Sequence, residues 1–210
     1  MILRTCYLVL LSFTVNQAMA QVELGVTAGA TFPTYKVSSG NVSMTSDIKV
    51  GFTAGIIAFY NLSEKIGLMP ELNFVQKGGI LNVTSSNIKN SSTYNYIELP
   101  LNIVYNFKGS TGSFFIGAGP AFGLGLGGSY KITGMYEESG DIHFGSSGED
   151  DLKPFEFSLN FVAGYKFSHG FLIKGNYNFG INNIAPSHAG SDAAFHNRYF
   201  AITVGYFFLK

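Results

Sequence analysis

Hydrophobic and polar residues alternate with a period of two along most of the chain after residue 21. Residues 155–167 are the clearest example. Every odd position from Phe155 to Phe167 is apolar, whereas Glu156, Asn160 and Lys166 lie at even positions. Successive side chains of a β-strand point to opposite faces, so this pattern predicts a strand with one apolar face.

Eight stretches of this kind occur along the chain. They are residues 23–30, 51–61, 66–77, 97–106, 114–124, 155–167, 171–181 and 199–208. A soluble β-sandwich also alternates, but its outer face is rich in Lys and Glu. Here the second face is mostly Gly, Ser, Thr and Asn. The sequence therefore predicts an all-β fold, an eight-stranded antiparallel up-and-down transmembrane β-barrel with lipid on its apolar face. An aromatic-rich soluble sandwich is the alternative.

The connections between these stretches alternate in length. The short ones are near residues 61–65, 108–112 and 168–170, and the long ones near 33–49, 85–93, 127–153 and 185–197. Outer-membrane barrels have short periplasmic turns and longer extracellular loops, so we expect the short set and both termini in the periplasm. Aromatic residues near strand ends predict girdles at the two membrane interfaces. They are Tyr60, Tyr94, Tyr105, Tyr165, Phe167, Tyr206 and Phe208.

The N-terminus predicts export of the chain. Arg4 precedes a short apolar run at residues 8–15, and small residues at 18 and 20 follow it. This order is typical of a signal peptide, and the run is too short for a membrane-spanning helix. We expect residues 1–20 to be a cleaved signal peptide and residues 21–210 to be the outer-membrane β-barrel domain.

Composition limits the chemistry that the mature chain can perform. Charged residues make up 12% of the chain, about half of the usual soluble share, and hydrophobic residues 46%. The one cysteine, Cys6, lies in the predicted signal peptide, so the mature chain has no thiol for a disulfide, a lipid or catalysis. The 13 basic residues balance 13 acidic ones, which gives no electrostatic case for nucleic acid. The glycines of residues 117–128 lack a phosphate-loop motif, and no cofactor is expected.

Seven charged residues share the polar face of the predicted strands. They are Glu23, Glu71, Lys77, Glu98, Glu156, Lys166 and Lys174. Charges enclosed in a narrow barrel are costly unless they pair. We therefore predict a lumenal charge network that holds the barrel rigid; a path for protons or ions is the alternative. Glu71 and Glu98 could also form a glycosidase-like acid and base pair, but the sequence shows no substrate cleft.

The longest predicted loop is acidic. Its acidic residues are Glu137, Glu138, Asp141, Glu149, Asp150 and Asp151, and His143, His188 and His196 also lie in predicted outer loops. The spacing lacks the ordered frame of an EF-hand, so we interpret these residues as solvated loop residues and expect no metal site.

Four segments resemble a known family. Residues 69–79, 96–101, 115–120 and 204–208, with the sequences MPELNFVQKGG, YIELPL, FIGAGP and VGYFF, resemble the PorT-like outer-membrane β-barrel family of Bacteroidota. This resemblance implies a barrel in the outer membrane of a Gram-negative bacterium. It implies little about activity, although PorT itself is associated with secretion. The last segment also resembles the terminal strand that the outer-membrane assembly machinery reads, apart from Leu209 and Lys210 after the last aromatic residue.

These observations favour a non-enzymatic membrane anchor and interaction module that binds through its extracellular loops. The first alternative is a PorT-like part in protein secretion, or transport of small solutes, across the outer membrane. The second is a lipid-modifying or proteolytic barrel enzyme. The expected partners are outer-membrane lipids, the assembly machinery during biogenesis, and secretion components under the first alternative.

Overall fold

The fold is built from antiparallel β-strands. The computed structural model describes residues 22–83, 87–147, 149–186 and 193–209, so the predicted signal peptide lies outside the described residues. The strands are β1 (Val22–Ser39), β2 (Val42–Thr45), β3 (Gly51–Asn61), β4 (Ile66–Val83), β5 (Ile88–Lys108), β6 (Gly112–Thr133), β7 (Glu138–Ile142), β8 (Phe155–Phe167), β9 (Phe171–Gly180) and β10 (Ala193–Leu209). No helix among these residues is long and apolar enough to cross a membrane.

Eight of the strands form a closed ring. Each of β1, β3, β4, β5, β6, β8, β9 and β10 pairs with the next, and β10 pairs back with β1. The closing pair runs from Leu24 opposite Leu209 to Ser39 opposite Ala193. The predicted eight-stranded antiparallel barrel is therefore confirmed. β2 pairs with β1 and β7 with β6, and both belong to the end of the barrel that carries the long connections, the long-loop end.

The apolar faces of the strands point outward. Leu159, Phe161 and Ile173 are 39%, 50% and 50% exposed, whereas Glu156 and Asn160 on the polar face are each 1% exposed. A soluble protein has the opposite arrangement, because water favours polar side chains on the outside. The predicted sidedness is confirmed, and the outer apolar belt faces lipid.

The strands continue further than the apolar pattern predicts. β5 begins at Ile88 and β6 ends at Thr133, so residues 88–93 and 127–133 are strand, although we expected loops there. The outward positions of these parts are polar or small, so a pattern that looks for an apolar outer face does not reveal them. Backbone pairing itself does not require apolar side chains. We call the described parts of residues 34–50, 79–95, 127–154 and 182–198 the extension, because they stand beyond the apolar belt at the long-loop end.

Most of the predicted girdle lies at the opposite, short-turn end. There the rings of Tyr105 and Phe107 are 4.9 Å apart, and those of Phe171 and Tyr206 are 5.1 Å apart. The prediction for Tyr94 was wrong. Its side chain is 4% exposed and lies inside the extension, because Tyr94 has the even, inward parity of β5.

Prolines coincide with interruptions of the hydrogen-bond ladders. The β3–β4 pairing passes from Ile57 opposite Glu71 directly to Tyr60 opposite Leu68, which leaves a gap at Pro70. The β5–β6 pairing likewise has a gap next to Pro100 and Pro120. Proline has no N–H to donate, so ladder gaps are where strands can accept it.

Candidate functional site

All seven predicted lumenal residues point into the barrel, and they form three groups at three heights. Lys77 forms ion pairs with Glu98 and Glu156. Lys174 forms one with Glu71, and Lys166 forms one with Glu23. The groups join side chains from β1, β4, β5, β8 and β9 across the lumen. Each ammonium thus has a carboxylate partner, which offsets the cost of removing both charges from water.

The Lys77 group lies closest to the long-loop end. The Nζ atom of Lys77 is 2.7 Å from Oε2 of Glu98 and 2.7 Å from Oε1 of Glu156. The side chains of Lys77 and Glu98 are 0% exposed. One ammonium therefore faces two carboxylates in a fully enclosed space, and the group carries one carboxylate in excess.

Neutral donors surround these two carboxylates. The hydroxyl of Tyr199 donates a short hydrogen bond to Glu98, and the amide of Asn178 donates to the same oxygen at 3.4 Å. The amide of Asn197 donates to Oε2 of Glu156 at 2.7 Å. The Lys77 Nζ atom also lies 4.6 Å from the centre of the Tyr96 ring, within the range of a cation–π contact. The hydrogen bonds stabilise the excess negative charge, and the ring of Tyr96 stabilises the ammonium.

The Glu71–Lys174 pair lies nearer the middle of the barrel. The Nζ atom of Lys174 is 2.9 Å from Oε1 and 2.7 Å from Oε2 of Glu71, so both carboxylate oxygens accept. Asn73 also donates to Oε2 of Glu71, at 3.0 Å. Close by in the lumen, Asn160 donates to Asn102 and accepts from Asn176. The middle of the lumen therefore holds this ion pair and a separate chain of hydrogen-bonded asparagines.

The third pair lies at the short-turn end. The Nζ atom of Lys166 is 2.6 Å from Oε1 of Glu23, and the two side chains are 19% and 17% exposed. The ammonium lies 4.4 Å from the centre of the Phe59 ring. Both charged residues border a pocket of about 340 Å³ that is open at this end. This pair therefore reaches water, unlike the two deeper groups.

Apolar layers separate the two deeper charged groups from both ends of the barrel. Between Lys166 and the polar middle lies a layer of Ile57, Phe59, Met69, Val104, Phe115, Val162, Leu172 and Phe207. Glycine makes room for it, because Gly164 faces the ring of Phe115 directly across β6 and β8. Inside the extension lies a second layer of Tyr35, Tyr94, Tyr96, Ile142 and Leu152. Dense layers of this kind are expected where an eight-stranded barrel is filled by its own side chains.

Sequence reasoning found the charged residues but missed several of their partners. Tyr199 and Asn197 share the inward parity of β10, opposite to Phe200 and Ile202, and this parity was the available signal. The two candidate glycosidase residues do not form a pair of their own, since Glu71 binds Lys174 and Glu98 binds Lys77.

The acidic loop forms local hydrogen bonds. Asp151 accepts from the backbone N–H of His143 at 2.8 Å. Hydrogen bonds from the hydroxyl and backbone N–H of Ser147 hold the pKa of Asp150 below its usual value. His196 lies on β10, and His188 lies outside the described residues. Within the described part of the chain, no cluster of three or more His, Asp or Glu side chains could hold a metal ion.

The solved structures that are similar to this fold include the following two. Ail, the attachment invasion locus protein of Yersinia pestis, is 14% identical, and the match covers 89% of this chain and 99% of Ail with a TM-score of 0.41. Neisserial surface protein A is also 14% identical, with 88% and 97% of the two chains covered and a TM-score of 0.42. No curated protein matches the sequence.

The family of the chain is shown by its sequence. The family model described as the outer membrane protein beta-barrel domain matches residues 16–185, which is most of the 210-residue chain. The closed ring of strands and the outward apolar belt agree with this description. The chain belongs to the outer membrane protein β-barrel family, and it is an integral protein of the outer membrane.

Proposed function

We propose that the protein is a non-enzymatic membrane anchor and interaction module, and that the extension is the part that binds a partner outside the cell. The observation that carries this proposal is the filled lumen. Lys77, Glu98 and Glu156 are at most 1% exposed, and an apolar layer lies on each side of the two deeper charged groups. A lumen occupied in this way supports a role that uses the outer surface of the protein.

The extension supports the choice of binding surface. β5 and β6 remain paired out to Lys89 and Thr133, and β7 adds a further strand along β6. This paired sheet presents exposed side chains at its tip, including Met135 at 81% and Tyr136 at 53% exposed. Rigidly supported connections that carry exposed aromatic and apolar side chains are a common form of protein-binding surface.

Site-specific cross-linking tests the interaction role. A photoreactive amino acid at Tyr136 in the native outer membrane should give a discrete adduct with one partner. The same amino acid at Lys65, an exposed position in a short turn, serves as the control and should not give that adduct. Equal adducts at both positions, or none at Tyr136 in a correctly inserted protein, would refute the proposed surface.

Conductance tests the filled lumen independently. The purified protein in planar lipid bilayers should show no sustained current, whereas a porin inserted by the same protocol should conduct. Stable single-channel currents from the wild type would favour small-solute transport and overturn the anchor role.

A PorT-like part in secretion is a second candidate function. Its support is the resemblance of residues 69–79, 96–101 and 115–120 to the PorT-like family; these segments lie on the neighbouring strands β4, β5 and β6. A strain that lacks the protein should then fail to release secreted proteins, and the native protein should purify with secretion components. Normal secretion in that strain would exclude this candidate.

A further inference from the structure

Three lysines converge on the outer face of the extension. Lys89 is on β5, Lys131 is on β6, and Lys49 follows β2. They line one side of an open pocket of about 750 Å³. The lumenal charge network does not involve them, because they lie on the opposite face of the sheet.

Strand register determines how close two of these lysines are. Lys89 lies opposite Thr133 and Ser91 lies opposite Lys131, so Lys89 and Lys131 are diagonal neighbours on one face. Diagonal neighbours in an antiparallel pair are roughly 7–8 Å apart, and like charges at such positions repel each other. The inward positions of β5 at this height are Ser92 and Tyr94, which shows that Lys89 faces away from the lumen.

The pocket is short of negative charge. Within the described residues, none of the three lysines forms an ion pair. Asp141 is the one carboxylate among the residues that line the pocket. The Nζ atom of Lys49 donates to the Thr93 hydroxyl at 2.5 Å, and burial lowers the pKa of this lysine. A bound anion would relieve both the repulsion and the cost of burying Lys49.

The pocket also lies at a defined height. On β6 the last exposed apolar side chain of the belt is Leu126, which falls in the bulge opposite Asn95 and Tyr96. Lys131 lies opposite Ser91, about 13 Å further along the strands at about 3.3 Å per residue. Because strands of a barrel are tilted, the height above the belt is smaller, about 10 Å. The lysines therefore lie just outside the hydrocarbon, at the level of lipid headgroups.

We propose that Lys49, Lys89 and Lys131 bind the phosphorylated headgroup of a lipid A-type glycolipid in the outer leaflet. Ammonium groups attract phosphate as point charges, and the hydroxyls of Ser91, Ser129 and Ser139 around them can donate further hydrogen bonds. Basic pockets beside the membrane surface are known to hold anionic headgroups. The pocket faces the surrounding lipid, which favours a lipid over a soluble polyanion. This inference requires the long-loop end to be outside, and it does not depend on a protein partner.

Native mass spectrometry tests the inference. The full-length protein is released from detergent micelles that contain lipid A, and the fraction that retains lipid A is measured. The Lys89→Gln/Lys131→Gln variant should retain no more than about one fifth of the lipid A that the wild type retains, because it loses two of the three attracting charges. The Lys65→Gln/Lys108→Gln variant removes two equally exposed lysines at the short-turn end and should stay within about twofold of the wild type. Equal retention by all three proteins, or equal loss in both variants, would overturn the proposal.

Two further binding measurements identify the bound group. Phosphatidylglycerol in place of lipid A should bind less tightly, and equal retention of the two lipids would refute the choice of lipid A. Inorganic phosphate at millimolar concentration should not displace lipid A; full displacement would assign the pocket to free phosphate.

Lysine acetylation of the wild type keeps the inference testable without any variant. In bilayers of phosphatidylcholine, addition of lipid A should slow acetylation of Lys49, Lys89 and Lys131 at least about threefold, as expected when an anion covers these amines. Acetylation of Lys65 and Lys108 should not change. An unchanged rate at the three pocket lysines would refute the site even if the glutamine variants failed to fold.

Discussion

Lys174 and Glu71 are 103 residues apart in sequence, yet the Nζ atom of Lys174 lies 2.7 and 2.9 Å from the two carboxylate oxygens of Glu71. The two side chains are 3% and 1% exposed. This pair joins β9 to β4, strands that do not neighbour each other in the ring.

Removing one member of this pair should cost more than replacing both. Lys174→Met leaves a buried carboxylate without its cation, and we expect a loss of about 3–5 kcal/mol in the free energy of unfolding. The double variant Glu71→Leu/Lys174→Met leaves no unpaired charge and should lose less. The measurement is urea unfolding in lipid vesicles, followed by circular dichroism. The single variant Glu71→Leu completes the cycle. If the double variant lost as much free energy of unfolding as the two single variants together, the two side chains would not be coupled.

Loss of the cation of the Lys77 group should lower the free energy of unfolding more than loss of one of its anions. Lys77→Met would leave Glu98 and Glu156 together without a cation, at a cost of about 3–5 kcal/mol. Glu98→Gln removes the excess negative charge and keeps an oxygen that accepts from Tyr199 and Asn178. We therefore expect Glu98→Gln to destabilise the barrel much less than Lys77→Met in the same unfolding assay. The reverse order would contradict the assigned charge balance.

Outward and inward leucines should differ in the cost of truncation to alanine. Leu159 is 39% exposed on the belt, and Leu172 is 1% exposed in the apolar layer. Leu172→Ala leaves a cavity in packed protein and should cost roughly 2–5 kcal/mol. Leu159→Ala should cost clearly less, because lipid fills the space that the side chain leaves.

A charge at the same outward position extends this comparison. Leu159→Arg should cost about 2–4 kcal/mol, because a guanidinium near the bilayer centre is poorly solvated. If Leu159→Ala were as costly as Leu172→Ala, or if the wild type folded in water without lipid, the lipid-facing position of Leu159 would be refuted.

The orientation of the barrel can be tested by cysteine labelling. In a Cys6→Ser background, cysteine at Asp141 in the extension should react with a membrane-impermeant reagent on intact cells. Cysteine at Lys65 in a short turn should react only after the outer membrane is permeabilised. Both positions are exposed, so access to the reagent is the difference measured. If only the cysteine at position 65 reacted on intact cells, the barrel would have the opposite orientation to the one proposed.

Strand number and sidedness followed from sequence because each side chain of a strand is assigned to a face by its parity alone. Parity also placed Glu71, Lys77 and Lys174 in the lumen, but it could not tell that Lys174 rather than Lys77 binds Glu71. That choice depends on the stagger between strands around the ring, and alternation within one strand does not encode it.

The extension was the part least accessible to sequence reasoning. Beyond the belt, the outward positions of β5 and β6 are polar or small, so the apolar period-two signal fades although the hydrogen-bond ladder continues. Lys89 and Lys131 consequently fell in predicted loops, and their position on one face emerged only from the strand register.

Closure of the ring requires strands that are synthesised at different times to pair with each other. Within the ring, β1 is the first strand to be synthesised and β10 the last, yet Gly25 lies opposite Phe207 and Ser39 opposite Ala193. Until the final strand arrives, one edge of β1 has donors and acceptors without their native partners. An open edge of this kind is a template for pairing with other chains, and contacts so distant in sequence form slowly. A chain that lacks β10 therefore leaves this edge of β1 unpaired, and the ring closes only when its first and last strands meet.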